Sequence, residues 1–300
     1  MKNFTQCTRL LIVLVALALF LVSTTMCVVI RHDRDDAKYL ALAARFPAVC
    51  RVGGPAPHPE GTGTLIAPQW ILTAGHVRDG ISVQSPLPMI KFVGKEYEIE
   101  KIVIHPCWTS AHPAHDMALI KLTRPVEGIE PIPIYRGTDE LGRIVTIVGS
   151  GFSGTGLTGP NPIDMWDNKK RAATNKIDAV EKYWLVSTFD APPSATELEG
   201  FCGPGDSGGP LIIEAEGTYY LAGIASGRGD TNKDGITGSY GDQARDARVS
   251  AEAYWIVATM EGREVATECY DEFAAVKAIG VGLLAAAVIG LLAWRFVFAK

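Results

Sequence analysis

The chain carries no surplus of positive charge: 28 Lys and Arg against 33 Asp and Glu give a formal net charge of −5 over 300 residues. Its basic residues are scattered, so the stripe that grips a phosphate backbone is missing and no nucleic-acid partner is expected. No internal repeat is visible. Cysteine is scarce, with six in all, and Cys7 and Cys27 fall inside an apolar N-terminal segment. The others, Cys50, Cys107, Cys202 and Cys269, should meet an oxidising compartment, where they permit three pairings among which the sequence does not choose.

Two apparent motifs lack their context. Gly154-Thr155-Gly156-Leu157-Thr158-Gly159 has the glycine spacing of a dinucleotide loop, but Pro160-Asn161-Pro162 stands where a helix would have to begin. That excludes the nucleotide reading and leaves a flexible loop. His105, Cys107, His112 and His115 crowd together ahead of Asp116, yet their spacing fits no compact zinc motif, and Pro106 and Pro113 indicate an irregular polar loop.

What the chain does have begins with apolar runs at both ends. Lys2 and Arg9 precede the run from Leu10 to Ile30, which has no evident Ala-x-Ala site and reads either as a cleaved signal peptide or as an uncleaved signal anchor. Ala278 to Trp294 is apolar and is followed by Arg295 and Lys300. The positive-inside rule puts both basic flanks in the cytoplasm and the domain between them outside, in the periplasm or the extracellular space. The expected division is 1–36 for the targeting segment and a charged juxtamembrane stretch, 37–272 for a folded domain, and 273–300 for a C-terminal transmembrane segment. Within the domain, Phe46 to Val52 reads as a first strand. Short apolar runs recur at Ile90 to Val93, Ile99 to Ile104, Ile132 to Tyr135, Ile144 to Val148, Tyr183 to Phe189, Leu211 to Glu214 and Tyr219 to Ile224, broken by Gly- and Pro-rich turns. Many short strands argue for an all-β barrel architecture. Ala251 to Met260 has helical spacing of its apolar residues.

Gly203-Pro204-Gly205-Asp206-Ser207-Gly208-Gly209-Pro210-Leu211 surrounds one serine with glycines. Glycine lets the backbone turn sharply there, so the amides of Gly205 and Ser207 can converge beside the Ser207 hydroxyl as an oxyanion hole. A serine hydroxyl is a weak nucleophile and needs a histidine base oriented by a carboxylate. Leu72-Thr73-Ala74-Gly75-His76 and Asp116-Met117-Ala118-Leu119-Ile120-Lys121-Leu122 supply both. With the serine block, these segments resemble the trypsin/chymotrypsin family of serine endopeptidases, over roughly Tyr39 to Thr259. The resemblance implies two six-stranded-type antiparallel β-barrels with a C-terminal helix, the first ending near Arg136 to Gly142. It also implies the triad His76, Asp116 and Ser207, and places Ser226 beside the triad aspartate.

The chain departs from that family in several places. Val77 follows His76 where a disulfide-forming cysteine is usual, and Cys202 has no evident partner near Ser226 to Asp230, so the chain looks like a bacterial-type variant without the usual disulfides. Arg51-Val52-Gly53-Gly54 resembles an activation junction but lies too close to His76, and the corresponding place near Asp36 has no Ile-Val-Gly-Gly. The family's acid before the serine is held by the freed terminal ammonium; Asp206 stands there without a legible partner. The specificity pocket is implied at Phe201, or at Gly200 when counted from Cys202, with Ser226, Gly227 and Arg228 on the other wall. Neither Gly200 nor Phe201 is acidic and Glu199 is the only acid nearby, so an uncharged residue before the scissile bond is expected. Asp230-Thr231-Asn232-Lys233-Asp234-Gly235 resembles the front half of a calcium loop, which makes Asp230, Asn232 and Asp234 candidate ligands, although Gly241 stands where a bidentate glutamate should be. No cofactor is required. The functional expectation is a membrane-tethered serine endopeptidase acting on protein or peptide; the alternative is a catalytically silent binding module on the same fold.

Overall fold

The computed structural model describes residues 28–53, 61–78, 89–92, 94–110, 113–160 and 169–265. The apolar run ahead of residue 28, the segment 273–300, His112 and Cys269 lie outside the described residues. Among the described residues no helix is long and apolar enough to cross a membrane.

Six strands close into a barrel in the first half: β2 (Val49–Val52), β3 (Gly61–Ala67), β4 (Trp70–Thr73), β5 (Met89–Phe92), β6 (Lys95–Ile104) and β7 (Ala118–Leu122), in the order β2-β3-β4-β7-β6-β5. Leu65, Ile71, Leu72, Ile90, Tyr97, Leu119, Ile120 and Leu122 on these strands belong to the main buried core. Strand β4 is buried at all four positions because β3 and β7 flank it and the second half of the molecule covers its end. Arg51-Val52 belongs to β2, with Val52 fully buried, so that sequence is a structural strand rather than a processing site.

The second half is built on β8 (Ile144–Gly149), β11 (Arg171–Lys176), β12 (Ala179–Val180), β13 (Trp184–Thr188), β15 (Pro210–Ala215), β16 (Thr218–Gly229) and β17 (Gln243–Arg248). They form one antiparallel sheet in the order β11-β8-β15-β16-β17-β13-β12. The expected count of six therefore holds for the first half, whereas seven described strands make the second sheet. A smaller sheet of β10 (Gly159–Pro160), β9 (Ser153–Thr155), β1 (Val28–Ile30) and β14 (Gly200–Phe201) closes one end. The glycine-rich segment 154–159 is thus the turn of the β9–β10 hairpin. The C-terminal helix α2 spans Val249–Met260, with Trp255, Ile256 and Ala258 turned into the core.

Val28, Val29 and Ile30 end the apolar run that reads as a targeting segment, yet they are fully buried as β1 between β9 and β14. The charged stretch after them folds as well. Helix α1 (Asp36–Ala43) is capped by the Asp35 carboxylate, which accepts from the Ala37 amide, and it packs on β11. Arg171 on β11 is completely buried and paired to Asp36 through Nε at 2.5 Å and Nη2 at 2.7 Å. An enclosed guanidinium needs such a carboxylate, which is why so polar a segment is drawn into the fold.

Candidate active site

His76 sits in the turn Gly75–Val77, immediately after β4. The turn is tight because a Cβ on Gly75 would come within 2.9 Å of the Trp108 ring. Asp116, just before β7, is 2 % exposed and grips this turn twice. Its Oδ1 accepts from the His76 backbone amide at 2.9 Å and its Oδ2 lies 2.7 Å from His76 Nδ1. With the proton on Nδ1, Nε2 is left as the base. Ser226 Oγ donates to the same Oδ2 at 2.5 Å, at the place the sequence implied. Burial pushes the Asp116 carboxyl up, but the hydrogen bond and charge of His76 and the Ser226 hydroxyl together hold it below the usual carboxylate range.

Ser207 lies between Gly205 and Gly208, whose φ angles of 89° and 79° are left-handed and suit glycine. The loop is seated on the first barrel: the Ser207 carbonyl accepts from the Thr62 amide at 2.7 Å, and Thr62 Oγ1 donates to the Gly205 carbonyl at 3.2 Å. A Cβ on Gly208 would fall 2.1 Å from Thr73 Oγ1, so no other residue fits between the nucleophile and the barrel. The amides of Gly205 and Ser207 donate to no group among the described residues, as an oxyanion hole requires.

Asp206, fully buried, finds the partners that the sequence left open: Gly151 donates its amide to Oδ1 at 2.7 Å and Gly203 to Oδ2 at 2.8 Å. Burial still pushes its carboxyl up to about 6, against these amides and the charges of Arg228 and Arg171. Gly149 and Gly151 must be glycines, since a Cβ on either would meet Asp206 Oδ1 at 2.0 and 2.8 Å.

A cavity beside Ser207 is lined by Cys202, Ser207, Ala225, Ser226, Gly227, Arg228 and Asp246. Ser226, Gly227 and Arg228, expected on one wall of the substrate pocket, line this cavity. Gly200 and Phe201 do not line it, because β14 pairs with β1 and Phe201 stacks on Phe189 with ring centroids 5.6 Å apart. Glu199 is turned away as well, accepting from the Thr196 amide and hydroxyl and the Asp190 amide. Asp246 escaped the sequence reading, since nothing in its neighbours marks it; only the pairing of β17 with β16 brings it to the nucleophile.

Two polar clusters lie outside this cavity. His105 and His115 stack at 4.7 Å and share the carboxylate of Glu252 on α2, at 3.1 Å from His105 Nε2 and 2.5 Å from His115 Nδ1. These atoms are close enough to surround a metal. However, the Cys107 amide donates to His105 Nδ1, which leaves the proton on Nε2, the nitrogen a metal would need. The cluster instead ties α2 to the segment preceding Asp116. In the candidate calcium loop, Asp230 accepts from the amides of Asp234 and Gly235, and Asp234 from the Ile236 amide, Ser239 Oγ and Asn232 Nδ2. Asn232 Oδ1 accepts from the Asp234 amide, so all three candidate ligands take part in the hydrogen bonds that shape the loop. Cys50 and Cys202 are buried free thiols, and burial pushes Cys50 up to about 12. Cys107 is disulfide-bonded.

A family model described as Trypsin matches residues 44–245. The mouse (Mus musculus) protein "Tryptase" is 28% identical over 198 residues, covering 58% of this chain and 72% of its own length. "Serine proteinase stubble" of Drosophila melanogaster is 32% identical over 192 residues, 55% of this chain but 23% of that protein. Mouse "Vitamin K-dependent protein C" is 29% identical over 201 residues, 59% of this chain and 44% of the relative. Among solved structures, neuropsin, a serine protease expressed in the limbic system of mouse brain, superposes with a TM-score of 0.57 at 20% identity, covering 73% of this chain and 96% of that one. That likeness shows the fold, a chymotrypsin-like double β-barrel with a C-terminal helix.

Proposed function

The chain belongs to the trypsin family and is a serine endopeptidase, and from that premise we propose that His76, Asp116 and Ser207 are its catalytic triad, in a domain held to a membrane on its non-cytoplasmic side. The observation that carries the triad is the double grip of Asp116 on the His76 backbone and ring, which fixes the imidazole with Nε2 free to act. His76 takes the Ser207 proton as the hydroxyl attacks the peptide carbonyl, and then delivers it to the leaving amine. Asp116 stays ionised and stabilises the imidazolium. The amides of Gly205 and Ser207 receive the oxyanion, and water repeats the sequence to release the acyl group. Membrane attachment is supported by the apolar runs at both ends with their basic flanks.

A fluorophosphonate probe tests the triad directly. Wild-type protein should label at Ser207, found by peptide mapping, and Ser207→Ala and His76→Ala should each abolish labelling and hydrolysis, with the double variant no worse than either single one. A wild-type protein that folds but never labels would point to the silent binding module.

A further inference from the structure

We infer that Asp246, brought into the active-site cavity from β17, selects the residue before the scissile bond, and that this residue is a cationic one, arginine or lysine. The inference rests on Ser207 being the nucleophile, because it takes the cavity beside Ser207 as the seat of the substrate side chain.

Strand pairing explains how Asp246 gets there. Ile224 on β16 faces Ala247 on β17, and Gly227 faces Arg245, so the ladder slips between them and both Ala225 and Ser226 stand opposite Asp246. Such a bulge re-aims side chains and interrupts pairing. Here it leaves Asp246 against a widened gap whose other walls are Cys202, Ser207 and Arg228.

Among the described residues the buried acids are Asp116, Glu140, Glu199, Asp206, Asp242, Asp246 and Glu252. Six of them have partners: Asp116 has His76 and Ser226, Glu140 has Arg248 and Ser250, Glu199 has Thr196, Asp206 has two amides, Asp242 has the amides of Thr231 and Gly238, and Glu252 has two histidines. Asp246 is 1 % exposed, and neither of its oxygens has a hydrogen-bond partner. Burial pushes its carboxyl up to about 8, with only the backbone of Ser226 acting the other way. A structural carboxylate would be satisfied like the other six; one left bare beside a nucleophile is satisfied by what enters the cavity. A guanidinium or ammonium would supply the missing donors and charge, whereas an apolar side chain would leave the acid stranded.

Arg228 on the facing wall sets the terms of entry. Its Nε is buried without a partner, and as the chain stands the cavity has room for about one water, roughly 10 Å³. Arg228 follows the exposed Gly227 and is itself half-buried on the cavity wall, so admitting a substrate cation requires this side chain to move out of the cavity. This reading replaces the expectation of an uncharged residue, which rested on Gly200, Phe201 and Glu199, none of which lines the cavity.

The test compares peptide substrates that differ only in the residue before the scissile bond, namely arginine, lysine, citrulline, leucine and phenylalanine. Wild-type kcat/KM should favour arginine and lysine over citrulline and leucine by on the order of 100-fold or more. Asp246→Asn should lose most of that preference while its Ser207 still labels with an uncharged fluorophosphonate at close to the wild-type rate. Labelling in both proteins without a cationic preference in the wild type, or with the preference kept in Asp246→Asn, overturns the inference alone; no labelling of the wild type overturns the triad instead.

Should the variant not fold, benzamidine inhibition of the wild type replaces it. The groups facing Asp246 are Arg228 and the Cys202 thiol in the cavity, with Asp206 beneath. The thiol stays protonated below pH 8, because burial raises it well above its usual range, and Asp206, at about 6, is already more than half ionised where the test range begins. Between pH 6.5 and 8 the inhibition constant should tighten by up to about tenfold per pH unit and then level off, as the acid releases its proton to pair with the amidinium. Inhibition that is absent, or flat across that range, rejects the pairing.

Discussion

At the scale of single residues, the proposed catalytic groups stand out in the sequence because chemistry restricts such roles to few side chains in short fixed contexts. His76, Asp116, Ser207 and Ser226 each sit in a run whose neighbours announce the role, and the structure brings His76, Asp116 and Ser226 into hydrogen-bond contact. Asp246 and the partners of Asp206 were not legible, since each depends on which backbone passes nearby, and Gly151 lies 55 residues from Asp206. Asp206 also yields a prediction. Its unfolded value of 3.8 lies below its folded value of about 6, so the folded chain holds this proton more tightly. The stability it contributes is fully present below about pH 4 and is lost as pH rises through 6. In Asp206→Asn no such titration exists, but the amide nitrogen must confront the Gly151 or Gly203 amide. Relative to this variant, wild-type protein should therefore lose stability from pH 4 to pH 7, read from urea midpoints at each pH. The variant should also lose about 100-fold or more in kcat, because the loop bearing the oxyanion amides shifts. Parallel midpoints across that range would show that Asp206 does not titrate there.

At the scale of elements, strands were readable where one face is buried, as in β6, whose exposed and covered positions alternate over much of its length. The fully buried β1 defeated the same logic. Val28-Val29-Ile30 continues an apolar run without a break, and three strand residues buried on every side have the composition of a membrane span. Helix α1 was missed for the opposite reason: its charges read as solvated, whereas Arg31 is 5 % exposed, donates to the Thr196 carbonyl and pairs with Asp33. Asp36 on α1 pairs with Arg171 on β11. Asp36→Ala removes the carboxylate from a guanidinium that stays buried, and should cost about 3–5 kcal/mol in chemical denaturation. A loss under about 1 kcal/mol would place this pair with the exposed ones, which contribute little.

At the scale of the whole molecule, the active site draws on both halves: His76 and Asp116 flank strands of the first barrel, while Ser207, Ser226 and Asp246 come from the second sheet. The serine loop is held on one side by Thr62 and on the other by Gly151 and the Ala225 carbonyl, which accepts from the Gly208 amide at 2.8 Å. Only the placement of the second sheet against the closed first barrel makes the site, which is why three distant motifs mark it and no single segment does. The ends of the chain raise a different question, because β1 begins at Val28, directly after the apolar segment that starts at Leu10. No linker separates the two, so a signal peptide cleaved ahead of Val28 frees the domain at that end, and an uncleaved anchor holds it against the bilayer. Deleting Ala278 to Lys300 tests both ends at once. With a cleaved first segment, active protease should leave the membrane fraction, and its N-terminal sequence should begin close to Val28. With an anchor, activity should stay with the membrane after carbonate washing. In either case the domain should be protected from protease added to the cytoplasmic side, and recovery of the intact, active domain from the cytosol would overturn the proposed topology.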